Sequence, residues 1–359
     1  MVRPTQYADF QTQLEWLVEA YENALQSLGI NRRSCVLRRF FCSDLSNQAA
    51  ELAKSSYAKA DADLCAVSLI RQPPLAPAKV ALWAYHVNDS AKALVKAEQD
   101  QSLELHRGEL THIWTTDVRS TVRRDSYDQT QAIIEGYQSA LRGDGLSLAD
   151  NVIRTWFFVQ NVDANYGGLV KARKDVFAQY GLTPDTHFIA STGIEGTSAD
   201  LQAKVSMDAY AIDGVQPEQI GFLSASDNLS PTFIYGVTFE RGVSVSYRDR
   251  KHIFISGTAS IDAQGDILYE GDVLRQLDRT LVNIQALLNE AEASLGDVSM
   301  LVVYVRDPSD LDAVHKAMLK RFGSAPMQVV VAPVCRPGWL VEIECQAISA
   351  VSNPSLPTF

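Results

Sequence analysis

Three stretches of this chain align with one another without a gap. They are Cys35-Val-Leu-Arg-Arg-Phe-Phe-Cys-Ser-Asp, Val152-Ile-Arg-Thr-Trp-Phe-Phe-Val-Gln-Asn and Val298-Ser-Met-Leu-Val-Val-Tyr-Val-Arg-Asp. Each is an apolar run of strand length that closes on a polar stop and leads into a helical pattern. Self-similarity on this scale, at irregular spacing, means duplicated domains with loop insertions rather than a solenoid. A chain of 359 residues has room for two to three such units.

The third stretch has the clearest surroundings. Residues 252–257 read as a strand ending at glycine. Gly271-Asp272 opens a helix through Asn289, with Asp272 as N-cap and Val273, Leu277, Leu281, Ile284, Leu287 and Leu288 at helical spacing. A buried strand over 298–305, a helix over 311–322 and strands over 328–332 and 339–345 complete the unit. The same order recurs over 125–213, with helices at 127–141 and 165–180 and strands at 151–159, 187–191 and 203–211. It recurs again over 10–88, with helices at 12–28 and 46–59 and strands at 35–41, 64–70 and 78–87, but without a leading hairpin. The polar segment 88–124 is expected to be linker plus the second copy's hairpin near 110–115. The chain thus divides into a degenerate copy (1–90), a second copy (91–215) and a C-terminal domain (216–359). Two unrelated α+β domains would leave the aligned strands unexplained.

Composition narrows the function. Apolar residues are 46% of the chain, enough for a sizeable core. A net charge of -11 and a pI near 5.1 oppose a phosphate backbone, so no nucleic-acid partner is expected. The densest basic spots are the pairs Arg32-Arg33, Arg38-Arg39 and Arg123-Arg124, expected on a solvated surface. Five cysteines without a CxxC pair fit a reducing compartment. Neither zinc-type spacing nor any other cofactor signature is present, so no metal and no cofactor are expected. The N-terminus lacks a signal-peptide core and no apolar run reaches about 18 residues, so the expectation is a cytoplasmic protein with no membrane association.

The third copy resembles the RidA/YjgF superfamily, also called the endoribonuclease L-PSP family. The residues that carry this are Ile255-Ser-Gly-Thr-Ala, Gly271-Asp-Val with Gln276, Asn283-Ile, Val303-Tyr-Val-Arg-Asp and Val341-Glu-Ile-Glu-Cys. A more particular likeness, to the chorismatase branch, lies in Leu229-Ser-Pro-Thr-Phe, Phe254-Ile-Ser-Gly-Thr-Ala-Ser-Ile and Val334-Cys-Arg. The resemblance implies an α+β, chorismate-mutase-like fold, with mixed sheets each carrying two helices on one face. Such proteins are usually homotrimers with ligand clefts between subunits. Three copies in one chain therefore imply an intramolecular pseudo-trimer, a monomer or a higher oligomer of it, with the uncovered sheet faces packed together at the centre.

Candidate chemistry gathers on the last strand. Glu342 and Glu344 alternate, so both side chains share a face. A carboxyl group on a half-buried strand has a raised pKa and can act as general acid; by pattern alone an outward, solvated pair reads equally well. The resemblance makes Glu342 the family's active-site glutamate. Arg336, in the turn before that strand, suits a carboxylate clamp. Cys335 reads as packing, because nothing nearby activates it. Arg154, mid-strand, must be paired if buried, either with Asp163 or Asp175 or, together with Arg173, with a ligand's carboxylate. Ala190-Ser-Thr-Gly-Ile-Glu-Gly reads as a loop or an anion nest. Tyr235 resembles the family's cleft-covering tyrosine, and Thr258 would line the same cleft.

The chain departs from the resemblance in two respects. After Gly257-Thr-Ala-Ser-Ile it reads Asp262-Ala-Gln-Gly, where chorismatases typically carry Val-Gly-His. The arginine that RidA enzymes carry on the strand before the Arg336 turn is replaced by Met327 or Gln328, with Thr186-His187 and Leu64-Cys65 at the corresponding place in the other copies. The leading expectation is a hydrolase, lyase or deaminase-like enzyme acting on a small carboxylate-bearing metabolite between copies two and three. A non-catalytic binder is the alternative; chorismatase or nuclease activity ranks lower.

Overall fold

The computed structural model describes residues 1–89, 94–99, 101–121, 124–323 and 325–359; the side chain of Tyr235 and residue Arg123 lie outside the described set. The first copy opens with α1, Phe10–Leu28, whose N-cap Asp9 accepts from the Thr12 backbone N–H at 2.8 Å. Gly29 ends it in the left-handed region at φ 64°. Then come β1 (Cys35–Cys42), α2 (Leu45–Leu52), β2 (Ala66–Arg71) and β3 (Val80–His86). The central strand β1 is buried along its whole length, parallel to β2 and antiparallel to β3.

The second copy runs β4 (Val95–Gln99), β5 (Ser102–Arg107), β6 (Leu110–Arg119), α3 (Ser126–Gly143), the short α4 (Leu148–Asn151), β7 (Val152–Val159), α5 (Val162–Gln179), β8 (Ala190–Glu195) and β9 (Val205–Asp213). The third runs β10 (Ile220–Leu223), β11 (Gly242–Ser246), β12 (Arg250–Ala259), α6 (Val273–Glu290), β13 (Val298–Val305), α7 (Leu311–Phe322), β14 (Met327–Val331) and β15 (Val341–Ala350). Among the described residues the sheet orders are β4-β5-β6-β9-β7-β8 and β10-β11-β12-β15-β13-β14, the same topology twice. The first copy's sheet, β2-β1-β3, is that topology without its leading three strands.

Several expectations need correction. The segment 88–124 is not linker plus one hairpin: it carries β4, β5 and β6. Its edge strand β4 is largely exposed and polar, so it has no apolar alternation to read. The second helix of the first copy stops at Leu52, and a separate 3-10 turn spans Ser56–Ala58. The strand placed at 187–191 runs from Ala190 to Glu195 instead, so the glycine-bearing stretch after Ala190 is sheet, not an anion nest. Arg38 and Arg39 are not on a solvated surface: both are fully buried.

Alternation along the central strands decides what lies at the middle of the molecule. Phe40 packs with Leu14 and Leu17 of α1, and Phe157 with Ile133 and Ile134 of α3. Their neighbours Phe41, Trp156, Phe158 and Tyr304 point the other way and merge, with Trp83, into one core shared by all three copies. Each copy's parallel strand then hands a backbone hydrogen bond to the next. Arg71 N–H donates to the Thr197 carbonyl at 2.9 Å, Glu195 N–H to the Pro333 carbonyl at 3.2 Å, and Val331 N–H to the Pro73 carbonyl at 2.8 Å. The three donors end β2, β8 and β14, and the acceptors follow two residues after the equivalent donor. The ring closes within one chain, with pseudo-three-fold symmetry.

Candidate functional site

Two acidic side chains of β15 enter the shared core, and they meet different surroundings. Glu344 lies near the pseudo-three-fold centre. Its Oε2 accepts from Arg154 Nη2 at 2.8 Å and from Thr192 Oγ1 at 2.5 Å, and its Oε1 accepts from Trp156 Nε1 at 2.9 Å. Arg39 of the first copy reaches the same cluster, 2.8 Å from Asp208 and 4.0 Å from Glu344. Its guanidinium lies over Trp83, Trp156 and Phe158 at 5.2, 4.7 and 5.1 Å. Two arginines thus face two carboxylates, and each copy supplies at least one member. That is the condition under which buried charge is tolerated.

Glu342, two residues earlier, lines a cleft between the second and third copies. It is 5% exposed. Burial, reinforced by the neighbouring Glu344 carboxylate and opposed by Arg154 and Arg241, pushes its pKa up to about 8. At neutral pH it therefore holds its proton in the larger part of the molecules. The strand registers pair Tyr304 with Glu342, Phe158 with Ser206 and Phe41 with Ala81. The other copies therefore carry serine and alanine at this position. Gly257 makes room for the acid: a Cβ there would overlap the Glu342 carboxyl group, with its carbon only 2.9 Å away. Gly257 sits in the bulge of β12 between Ile255 and Thr258, where the second copy has Asp117 in its own bulge between Thr115 and Val118.

Three guanidinium groups face the same cleft. Arg173 comes from α5, Arg241 from the segment entering β11, and Arg336 from the turn before β15. Arg173 Nε donates to Thr238 Oγ1 at 3.2 Å and Nη1 to Ser191 Oγ at 3.4 Å. Arg241 Nη2 donates to the Ser230 carbonyl at 2.8 Å. Arg336 is half-buried, 5.2 Å over Trp339. A neutral carboxylic acid beside several cations can donate a proton to an anionic ligand that the cations hold.

The sequence candidates divide between these two places. Glu342, Arg173 and Arg336 line the cleft. Glu344 and Arg154 do not: they pair with each other, and Arg154's partner is neither Asp163 nor Asp175. Asp163 pairs instead with Arg306 at 2.6 Å, and Asp175 accepts from the Tyr127 hydroxyl at 2.9 Å. Thr258 is buried, with its hydroxyl donating to the Ser256 carbonyl at 2.9 Å, while Gly257 and Ala259 on either side line the cleft. The side chain of Tyr235 lies outside the described residues. Cys335 lines the cleft as a thiol, its pKa raised to about 12 by burial. Arg241 escaped the sequence reading because it stands alone in a loop with no motif. The strand registers also change one comparison. Met327 pairs with Leu301 and Ser191 with Thr155, so Ser191, not Thr186 or His187, is the second copy's counterpart of Met327. Arg173 brings a guanidinium from α5 to this strand, its Nη1 3.4 Å from the Ser191 hydroxyl.

Among the described residues no group of three His, Cys, Asp or Glu side chains is placed to hold a metal ion, and no helix is long and apolar enough to cross a membrane.

Fold and cleft together define a tandem α+β protein of three related modules with a cleft between the second and third. Comparison with known proteins agrees. Residues 242–349 match the model of the endoribonuclease L-PSP family. A RutC family protein of Pyrococcus abyssi is 35% identical over 97 residues, which cover 27% of this chain and 76% of that relative. The 3-aminoacrylate deaminase RutC of Acinetobacter baylyi is 29% identical over 70 residues, covering 20% of this chain and 56% of that enzyme. The crystal structure of a chorismatase superposes with a TM-score of 0.67 at 18% identity, covering 88% of this chain and 93% of that one, a likeness of fold along most of the molecule. The chain belongs to the RidA/YjgF superfamily.

Proposed function

We propose that this protein is a hydrolase or lyase acting on a small carboxylate-bearing metabolite in the cleft between its second and third copies, with Glu342 as the proton donor. The observation that carries this is a single buried carboxyl group, its pKa raised to about 8, facing Arg173, Arg241 and Arg336. The arginines hold the substrate carboxylate. Glu342 gives its proton to the electron-rich carbon of an adjacent C=C bond bearing nitrogen or oxygen. Water adds to the resulting cation, the C–N or C–O bond breaks, and ammonia or an alcohol leaves beside a carbonyl product. Glu342 regains its proton from the added water. Two likenesses support this class. The 3-aminoacrylate named for one relative is an enamine carrying a carboxylate, and chorismate carries an enolpyruvyl ether.

The division into copies at 90 and 215 belongs to the same reading, supported by the ends of β3 at His86 and β9 at Asp213 and the start of β10 at Ile220. The test is a metabolite extract followed by mass spectrometry. The protein is expected to deplete at least one small carboxylate, and Glu342→Gln to do so at least ~100-fold more slowly. Equal rates would sink the assignment. A second reading, ligand binding without turnover, is favoured by the absence of an arginine at Met327 and Gln328, at Ser191 and Thr192, and at Val67 and Ser68. Saturable thermal stabilisation by a carboxylate that is never consumed would establish it.

A further inference from the structure

The first copy holds a group of reactive side chains that the Glu342 cleft does not use. Cys35 opens β1, and Cys65 immediately precedes β2. These strands run parallel, with Leu37 and Ala66 as register partners. Cys35 Sγ lies 3.4 Å from the Leu37 carbonyl oxygen and Cys65 Sγ 3.4 Å from the Ala66 carbonyl oxygen, so both sulfurs meet at one end of the strand pair. They are within hydrogen-bonding reach of each other. Both are buried, and both are free thiols.

The surroundings favour an anionic sulfur. His86 of β3, the register partner of Cys35 on its other side, also reaches that sulfur. Ser34 and Tyr21 fix the imidazole, their hydroxyls 2.8 Å from Nδ1 and 2.9 Å from Nε2. Arg38, fully buried, and Arg32 both bind the Asp63 carboxylate, at 2.6 and 2.7 Å. Lys96 Nζ donates to the carbonyls of Cys35 and Asp63 at 2.9 and 2.8 Å. Arg38 Nε has no hydrogen-bond partner among the described residues. Cations thus outnumber the carboxylate they gather about, and a thiolate beside them restores the balance. Burial alone would raise the Cys35 thiol, but hydrogen bonds from Cys65 and His86 hold it well below the ordinary thiol value. Cys65 is pushed the opposite way, by burial and by its bond to Cys35, so one proton serves two sulfurs.

We propose that Cys35 and Cys65 are a redox-active dithiol that reduces a small hydroperoxide, with Cys35 as the attacking sulfur and Cys65 as the resolving one. The route in is a cleft of about 600 Å³ between the first and second copies, lined by Cys65 with Ala66, Thr116 and Asp117. The Cys35 thiolate attacks one peroxide oxygen. The O–O bond breaks, and the other oxygen takes a proton from solvent and leaves as water or an alcohol. The Cys65 sulfur then displaces the hydroxyl of the Cys35 sulfenic acid. The S–S bond forms, and the hydroxyl leaves with the Cys65 proton as water. The two sulfurs lose two electrons and the peroxide gains them. The resulting disulfide is a labile one, which suits a chain whose cysteines fit a reducing compartment.

The test is to reduce the full chain, expose it to hydrogen peroxide, denature and alkylate it, and digest it for mass spectrometry. A peptide pair joined through Cys35 and Cys65 is expected, separable by dithiothreitol, while Cys42, Cys335 and Cys345 still take up label. Cys42, equally buried at the far end of β1 and raised by burial without such partners, is the internal control, and Cys35 should be lost at least ~10-fold faster. In Cys65→Ser the reaction should stop at a Cys35 sulfenic acid that dimedone traps. Glu342→Gln should oxidise like the unaltered chain, because the two sites are separate. If Cys35 and Cys65 keep taking up label as fast as Cys42 does, or Cys35 is oxidised without joining Cys65, the dithiol assignment is overturned, and neither result depends on a variant folding.

Discussion

Glu342 and Glu344 share one strand and one face, yet their neighbours give them opposite tasks. Glu344 is matched by Arg154 at 2.8 Å and by two further donors. Removing one member of such a buried set strands the other charge, so Glu344→Ala should lower unfolding stability in urea by about 3 kcal/mol or more. Glu342 is instead held neutral. Its pKa moves from 4.5 in the unfolded chain to about 8 in the folded one, so the folded protein keeps a proton that the unfolded chain releases. The associated stability is fully present below about pH 4.5 and is lost as pH rises through about 8. His112 and His252, pushed down to about 3 by burial, work in the other direction, and their stabilisation disappears only as pH falls below about 6.5. Between pH 6.5 and 8 the unfolding free energy should therefore fall with pH, and Glu342→Gln should flatten that slope; an unchanged slope in the variant would contradict the shift. At this scale the sequence was half legible. The alternation of β15 put both glutamates on one face, but no pattern could say which of them would pair directly with an arginine and which would line the cleft. Arg241 was invisible because only the fold brings its loop to the cleft.

Among the elements, β12 is the one shaped for the site. Its bulge gives Gly257 a place against Glu342, and a side chain there would displace the acid. Gly257→Ala is expected to keep the fold, at a cost of about 1–3 kcal/mol, and to lose activity as severely as Glu342→Gln. Turnover near the wild-type level would show that the acid's position does not matter. Elements with strong local signals were legible from their residues. Asp272 caps α6 as expected, accepting from Arg275 N–H at 3.0 Å, and β13 and α7 have the expected bounds. Replacing Asp272 with Ala should lower the melting temperature through the loss of about 1 kcal/mol. The edge strand β4 was not legible, because its exposed polar residues carry little periodicity, whereas the hairpin expected near 110–115 falls within β6. The shift of β8 by several residues had a tertiary cause: its position is set by pairing with β7 and by the ring of bonds between copies, neither of which is local.

The whole molecule explains why three copies diverged. A pseudo-three-fold ring has three junctions, but among the described residues the first copy has no counterpart of β12, and only the third copy has an acid at the Glu342 position. The second copy supplies Arg173 and Ser191 to the Glu342 cleft, while the first supplies Arg39 to the centre. Because the ring is closed within one chain, sedimentation should give a particle of 39.5 kDa or a multiple assembled through outer surfaces; three chains joined about a shared centre would contradict this arrangement. The repeat was legible from the gapless strand alignment, whereas its closure depended on backbone groups that no side-chain pattern reports. The central claim, that this assembly holds one carboxylic acid neutral in an arginine-lined cleft, is open to direct titration. Carbon-13 spectra of protein labelled at glutamate carboxyl carbons, compared with Glu342→Gln, should show one signal titrating near pH 8 that the variant lacks. A Glu342 signal titrating at or below the ordinary 4.5 would contradict the account.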